Sequence, residues 1–175
     1  VSQNPVARKK PRTGRVGLFG VGHQIYWSQF EGLLPKLLGH HDALKKRLEK
    51  QGVEVVDFGM VDTSQAAYAV AVKMRTGELD VLFCNMLTYA TSSVFAPILR
   101  DVAVPMVLVA LQPRAALDYT QASTFMQLEN DNVCSVPEFT GVAVRLGRKV
   151  HDVVIGTLHD DPKADAELNA WCEVA

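Results

Sequence analysis

No stretch of this sequence runs to about 18 uninterrupted apolar residues, the least a membrane-crossing helix needs, and its first residues lack the apolar core of a signal peptide. A soluble protein of the cytoplasm is expected. Cysteine is scarce: Cys84, Cys134 and Cys172 make up the three. They are odd in number, far apart and without a C-x-x-C pair, so reduced thiols fit better than a disulfide framework or a zinc cage. An excess of one charge is missing as well. Eighteen Lys and Arg stand against 19 Asp and Glu, which leaves no global field for nucleic acid or an anionic membrane. The one basic run, Arg8-Lys9-Lys10-Pro11-Arg12, has no apolar period and reads as a solvated arm within a disordered tail, residues 1–14.

Several chemical motifs are absent too. No G-x-x-x-x-G-K-[ST] occurs, which excludes a P-loop, and Gly20-x-Gly22 is followed three residues later by Ile25 where a dinucleotide fingerprint needs its third glycine. The first strand does not end in acids, and the third ends in Cys84-Asn85 where a phosphoacceptor aspartate would stand. No G-x-S-x-G elbow is present. His40-His41-Asp42 reads as a polar stretch after Gly39, because adjacent helical residues point about 100° apart and do not share an ion easily. His151 and His159 flank the fifth strand, and Cys84, among apolar neighbours, reads as a small buried hydrophobe.

What is present is a regular alternation. Strand-length runs rich in apolar residues stand at 16–21, 53–58, 79–84, 105–111 and 153–158, and the first is continuous, as a strand buried on both faces should be. Between them lie helical patterns at about 26–51, with Pro35 and Gly39 as candidate breaks, and at about 64–76 after the N-cap candidates Asp62, Thr63 and Ser64. Others span 91–101, 136–151 and, behind Asp161-Pro162, the chain's last dozen residues. The 175 residues make one domain at 15–175: an α/β, doubly wound, five-stranded parallel sheet, a flavodoxin-like three-layer sandwich. The connection 114–132 is unusually long, and its mixture of apolar Leu117, Tyr119, Phe125 and Leu128 with amides predicts a contact with another domain or chain.

In a sheet of this kind ligands sit beyond the carboxyl ends of the strands. There the first strand releases His23, Gln24, Ile25, Tyr26 and Trp27, the third releases Asn85 and Tyr89, and the fourth releases Gln112. Donors, acceptors and aromatic faces in this mixture suit a neutral polyol; phosphate would call for small residues around exposed backbone N–H groups. These eight residues are the candidate substrate-binding set. No candidate catalytic residue and no metal ligand set is found.

The segment His23-Gln24-Ile25-Tyr26, the pair Thr88-Tyr89, the stretch Phe125 to Asn132 and the following Pro137-Glu138-Phe139-Thr140-Gly141 resemble the N-terminal domain of the L-arabinose isomerase and L-fucose isomerase superfamily. The resemblance implies a three-domain aldose–ketose isomerase that uses Mn²⁺ and an enediol mechanism, with its metal-binding glutamates and histidines in later domains. It also implies a homo-oligomer, trimer or hexamer, in which this domain walls a neighbouring subunit's sugar pocket through His23, Ile25 and Tyr89. This chain alone would bind no metal and not isomerise. Two departures stand out: His23-Gln24 reverses the usual order, and Gln112 lies in a segment where the isomerases carry a histidine. L-Arabinose is therefore no better matched than another pentose or a deoxyhexose. A non-catalytic sugar-binding or sugar-sensing module is the alternative reading.

Overall fold

The first apolar run pairs on both sides, and its neighbours fix the architecture. The structure, a computed structural model, describes residues 13–175, so the basic run lies outside the described residues. Strands β1 (Arg15–Val21), β2 (Glu54–Val61), β3 (Val81–Met86), β4 (Met106–Gln112) and β5 (Asp152–Thr157) form one sheet in the order β2-β1-β3-β4-β5. Every pair is parallel. This is the expected doubly wound, flavodoxin-like sheet. Its strand order reverses between β1 and β3, which makes the carboxyl end of β1 the topological switch point.

Among the described residues seven α-helices connect and cover the strands: α1 (Ile25–Gln29), α2 (Leu33–Glu49), α3 (Ser64–Arg75), α4 (Ala96–Asp101), α5 (Thr124–Glu129), α6 (Val136–Arg145) and α7 (Pro162–Val174). Side chains alternate across the sheet with period 2. On one face Val16, Leu18, Phe83 and Val109 pack with Leu44 and Leu48 of α2 and Leu168 of α7. On the other, Phe19, Cys84 and Leu108 pack with Met74 of α3, Ile98 of α4 and Phe139 of α6. The Phe95 and Phe139 rings stack there with centroids 4.4 Å apart. Among the described residues no helix is long and apolar enough to cross a membrane.

Several boundaries depart from the sequence expectation, each for a local reason. The helix expected at 26–51 breaks at Gly32, which sits at φ 82° as the N-cap of α2, a conformation that glycine adopts without steric cost. Pro35 instead occupies the first turn of α2, where a missing N–H leaves no bond unmade, and Gly39 lies on its exposed side. The connection 114–132 is not without structure: Ser123 Oγ accepts from the Met126 N–H (3.2 Å) and starts α5. α6 stops at Arg145 rather than continuing to 151.

Candidate functional site

β1 delivers the chain to Gly22, where a Cβ would meet the Trp27 ring at 2.9 Å. Without one, the indole lies directly against the backbone. From there Trp27 reaches across to the exit of β2, and its Nε1–H donates to Asp62 Oδ2 over 2.6 Å. Backbone bonds repeat the link: Gly22 N–H to the Val61 carbonyl and Gln24 N–H to the Asp62 carbonyl, both 3.4 Å. Thr63 then caps α3 by accepting from the Ala66 N–H (3.1 Å).

These links shape a cleft of about 710 Å³ at the switch point. The exit of β1 contributes His23, Gln24, Ile25 and Trp27, that of β2 contributes Asp62 to Gln65, and the loop beyond β3 contributes Thr91 and Ser93. Among the described residues that line it, none is lysine or arginine. Hydroxyls, amides, one imidazole, one indole and one carboxylate can donate to and accept from a polyhydroxylated ligand. They offer no cation to a phosphate.

Beside the cleft lies an aromatic cluster. The His23 ring meets Tyr26 edge-on at 5.3 Å and Tyr89 at 6.1 Å. Burial pushes the Tyr26 phenol up, and Tyr89, Asp131 and Cys134 add to the shift, so at neutral pH Tyr26 holds its proton as a donor. Desolvation likewise pushes the Cys134 thiol up to about 12, which leaves it protonated and poorly nucleophilic.

Two candidate residues reach neither the cleft nor the aromatic cluster. Asn85 lies inside β3, paired with Gly20 of β1 and Val109 of β4, and is 3% exposed. Its amide contacts His41 Nδ1 at 3.2 Å, and His41 Nε2 contacts Asp57 Oδ1 at 3.0 Å. Burial works to raise the Asp57 carboxyl, yet the bonds from His41 and the Gly59 N–H, together with the His41 and Lys45 charges, carry it below its ordinary value. Asn85 is thus part of a structural bridge. The second residue, Gln112, ends β4 and donates through Nε2 to the Asn130 carbonyl (2.8 Å). His23, Gln24, Ile25 and Trp27 share the cleft, with Tyr26 and Tyr89 in the aromatic cluster beside it.

Sequence reasoning missed the contribution of β2. Asp62, Thr63 and Ser64 read only as caps, although they stand at a carboxyl end that the order β2-β1-β3 sets next to His23. It also missed Glu129, 3% exposed, whose carboxylate lies 3.0 Å from Lys36 Nζ, 3.7 Å from His40 Nε2 and 3.8 Å from Arg114 Nη2. A further hollow of about 580 Å³ lies beside Arg47, but that guanidinium is already bound by Asp165 and by the carbonyls of Thr157 and Leu158. Among the described residues no group of three or more His, Cys, Asp or Glu side chains is placed to hold a metal ion.

No family model matches the chain, and no curated protein matches it significantly. Its similar solved structures are distant. A type II dehydroquinase of Butyrivibrio crossotus DSM 2876 aligns at 12% identity and TM-score 0.48 over 90% of this chain and 98% of that one. Another from Propionibacterium acnes aligns at 10% and 0.45, over 92% and 99%. A transcriptional regulator of the LacI family from Rhizobium etli, described as putative, aligns at 12% and 0.38, over 87% and 59%. Likenesses this remote say nothing about chemistry in this chain.

Proposed function

We propose that this domain is the N-terminal part of a metal-dependent aldose–ketose isomerase of the L-arabinose and L-fucose isomerase kind, and that its switch-point edge walls the sugar pocket of a neighbouring subunit in a homo-oligomer. The observation that carries the reading is the cleft itself: neutral hydrogen-bonding groups around one carboxylate, with an aromatic cluster alongside. A polyol needs such a wall, since its hydroxyls both donate and accept while its C–H faces pack on rings. Mn²⁺, held by residues of later domains, would supply the carbonyl polarisation. This chain's part is to orient the sugar and exclude water.

The test is to express the reading frame through the residues that follow Ala175 and to assay pentoses and deoxyhexoses with Mn²⁺. Interconversion that a chelator abolishes is expected from the longer protein, and none from the 175-residue chain. Sugar binding without conversion by the longer protein would leave a non-catalytic sugar-binding module. Turnover by the 175-residue chain itself would overturn the division of labour.

A further inference from the structure

Two features of the cleft act on an approaching charge in opposite directions. The N-terminus of α3, a helix of 12 residues, opens at Ser64 and Gln65 on the cleft wall. Its partial positive charge disfavours a cation. Asp62, the residue just before the N-cap Thr63, places a full negative charge on the same wall. That carboxylate disfavours an anion, and among the described lining residues no lysine or arginine offsets it. A neutral O–H satisfies both, because it can donate to the carboxylate and accept from a backbone N–H. The carboxylate is also held in place, since Trp27 Nε1–H bonds Oδ2 at 2.6 Å. An ionised carboxyl has about four lone-pair sites, so this bond leaves most of its accepting capacity unused.

We propose that Asp62 sets the ligand selectivity of this cleft. Oriented by Trp27, its carboxylate accepts the hydroxyl protons of a neutral sugar and turns away the phosphorylated form of the same sugar. The proposal rests on the reading of the cleft as a sugar site and adds the residue that discriminates. Trp27 is a positioning residue here: it aims the carboxylate through one hydrogen bond.

The chain contains two tryptophans, so the Trp27 indole N–H resonance can be followed by NMR in the 175-residue protein. Neutral pentoses and deoxyhexoses should move it in a saturable way, while the corresponding sugar phosphates should bind at least about tenfold more weakly, as like charge at a fixed carboxylate requires. Asp62→Asn keeps an acceptor for Trp27 but removes the charge. It should weaken neutral-sugar binding about tenfold, the loss of charge-assisted bonds, and close most of the gap to the phosphates. Trp27→Phe, followed by backbone amides of 62–66, should weaken the neutral sugar but still exclude the phosphate. That split separates aiming from charge and remains readable if the Asn variant does not fold. If no sugar moves these resonances in the parent chain, both the sugar reading and this proposal fall. If neutral sugars bind but phosphates bind equally well, or Asp62→Asn leaves the ratio unchanged, only the assignment of Asp62 falls. Amino sugars binding well ahead of their neutral counterparts would also overturn it, since the carboxylate would then be pairing charge.

Discussion

The two halves of the sheet's carboxyl edge are built from similar residue types and use them in opposite ways. At the exits of β1 and β2, polar side chains line open space: His23, Gln24 and Asp62 each face a cleft with bonding capacity to spare. At the exit of β4, polar side chains are tied to nearby backbone and to one another, although Glu129 Oε2 and Asn132 Oδ1 stay buried without a hydrogen-bond partner. Gln112 and the Arg114 N–H both bond Asn130, and Asn132 donates to the Met86 carbonyl at 2.7 Å. Glu129 gathers Lys36, His40 and Arg114. The second half is a fastening that holds α5 against α2, where Leu128 and Phe125 pack on Leu33 and Leu37. Polarity at a strand end does not by itself mark a site; unused bonding capacity facing a hollow does.

If that contrast is right, damage to the fastening reads out as lost stability and damage to the cleft as lost binding. The largest effect is expected from Leu128→Ala, which removes a side chain 6% exposed. A cost of about 2–4 kcal/mol is expected from the lost transfer and the residual cavity, measured by urea denaturation. Amide exchange should quicken across 124–130 and stay slow in α3. Glu129→Gln comes next. It keeps the shape but leaves Lys36 and Arg114 without their anion, and because both cations are nearly half exposed the loss should be about 1–2 kcal/mol. No change, or a gain, would show the carboxylate to be a burden that the fold tolerates.

His23→Ala and Tyr89→Ala should move stability by less than about 1 kcal/mol, as partly exposed sites without a buried cavity to leave, yet weaken sugar binding in the titration described above. A large stability loss in either would erase the distinction between the two halves. The smallest effect concerns acid. Burial, opposed by Glu129 and assisted by the Lys36, His159 and Arg114 charges, carries His40 below its ordinary 6.5. A group depressed on folding contributes stability that is full above the unfolded value and drains away as pH falls through 6.5 toward the folded one. A melting series from pH 7.5 to about 5 should therefore slope downward, and the slope should shrink in His40→Gln.

Much of the fold was legible because apolar-rich runs and Gly or Pro stops punctuate the chain at the right intervals. Five parallel strands and the place of His23 to Trp27 just beyond the first of them follow from that pattern and agree with the structure. What escaped was set by partners distant in sequence. Asn85 ends the apolar run and so reads as a loop residue, but its amide is satisfied by His41, 44 residues away, which lets it stay within β3. Asp62 reads as a cap because nothing local says that Trp27 will take its oxygen. α5 is hidden because its six residues are too few for a helical period to stand out.

The Asn85–His41–Asp57 bridge has one more consequence. Its three members come from β3, α2 and β2, and the imidazole lies over Gly20 of β1, where a Cβ would come within 3.0 Å of Nδ1. The apolar residues of a parallel sheet do little to tell correct pairing from a slipped one, since valine against valine looks the same one residue along. Sliding β3 by a single position would turn the Asn85 amide to the opposite, largely apolar face and away from His41. The imidazole would keep its carboxylate and lose its amide. The bridge thus acts as an index pin: it seats only when three strands are aligned, and it converts a one-residue error from a matter of indifference into an unpaired buried amide.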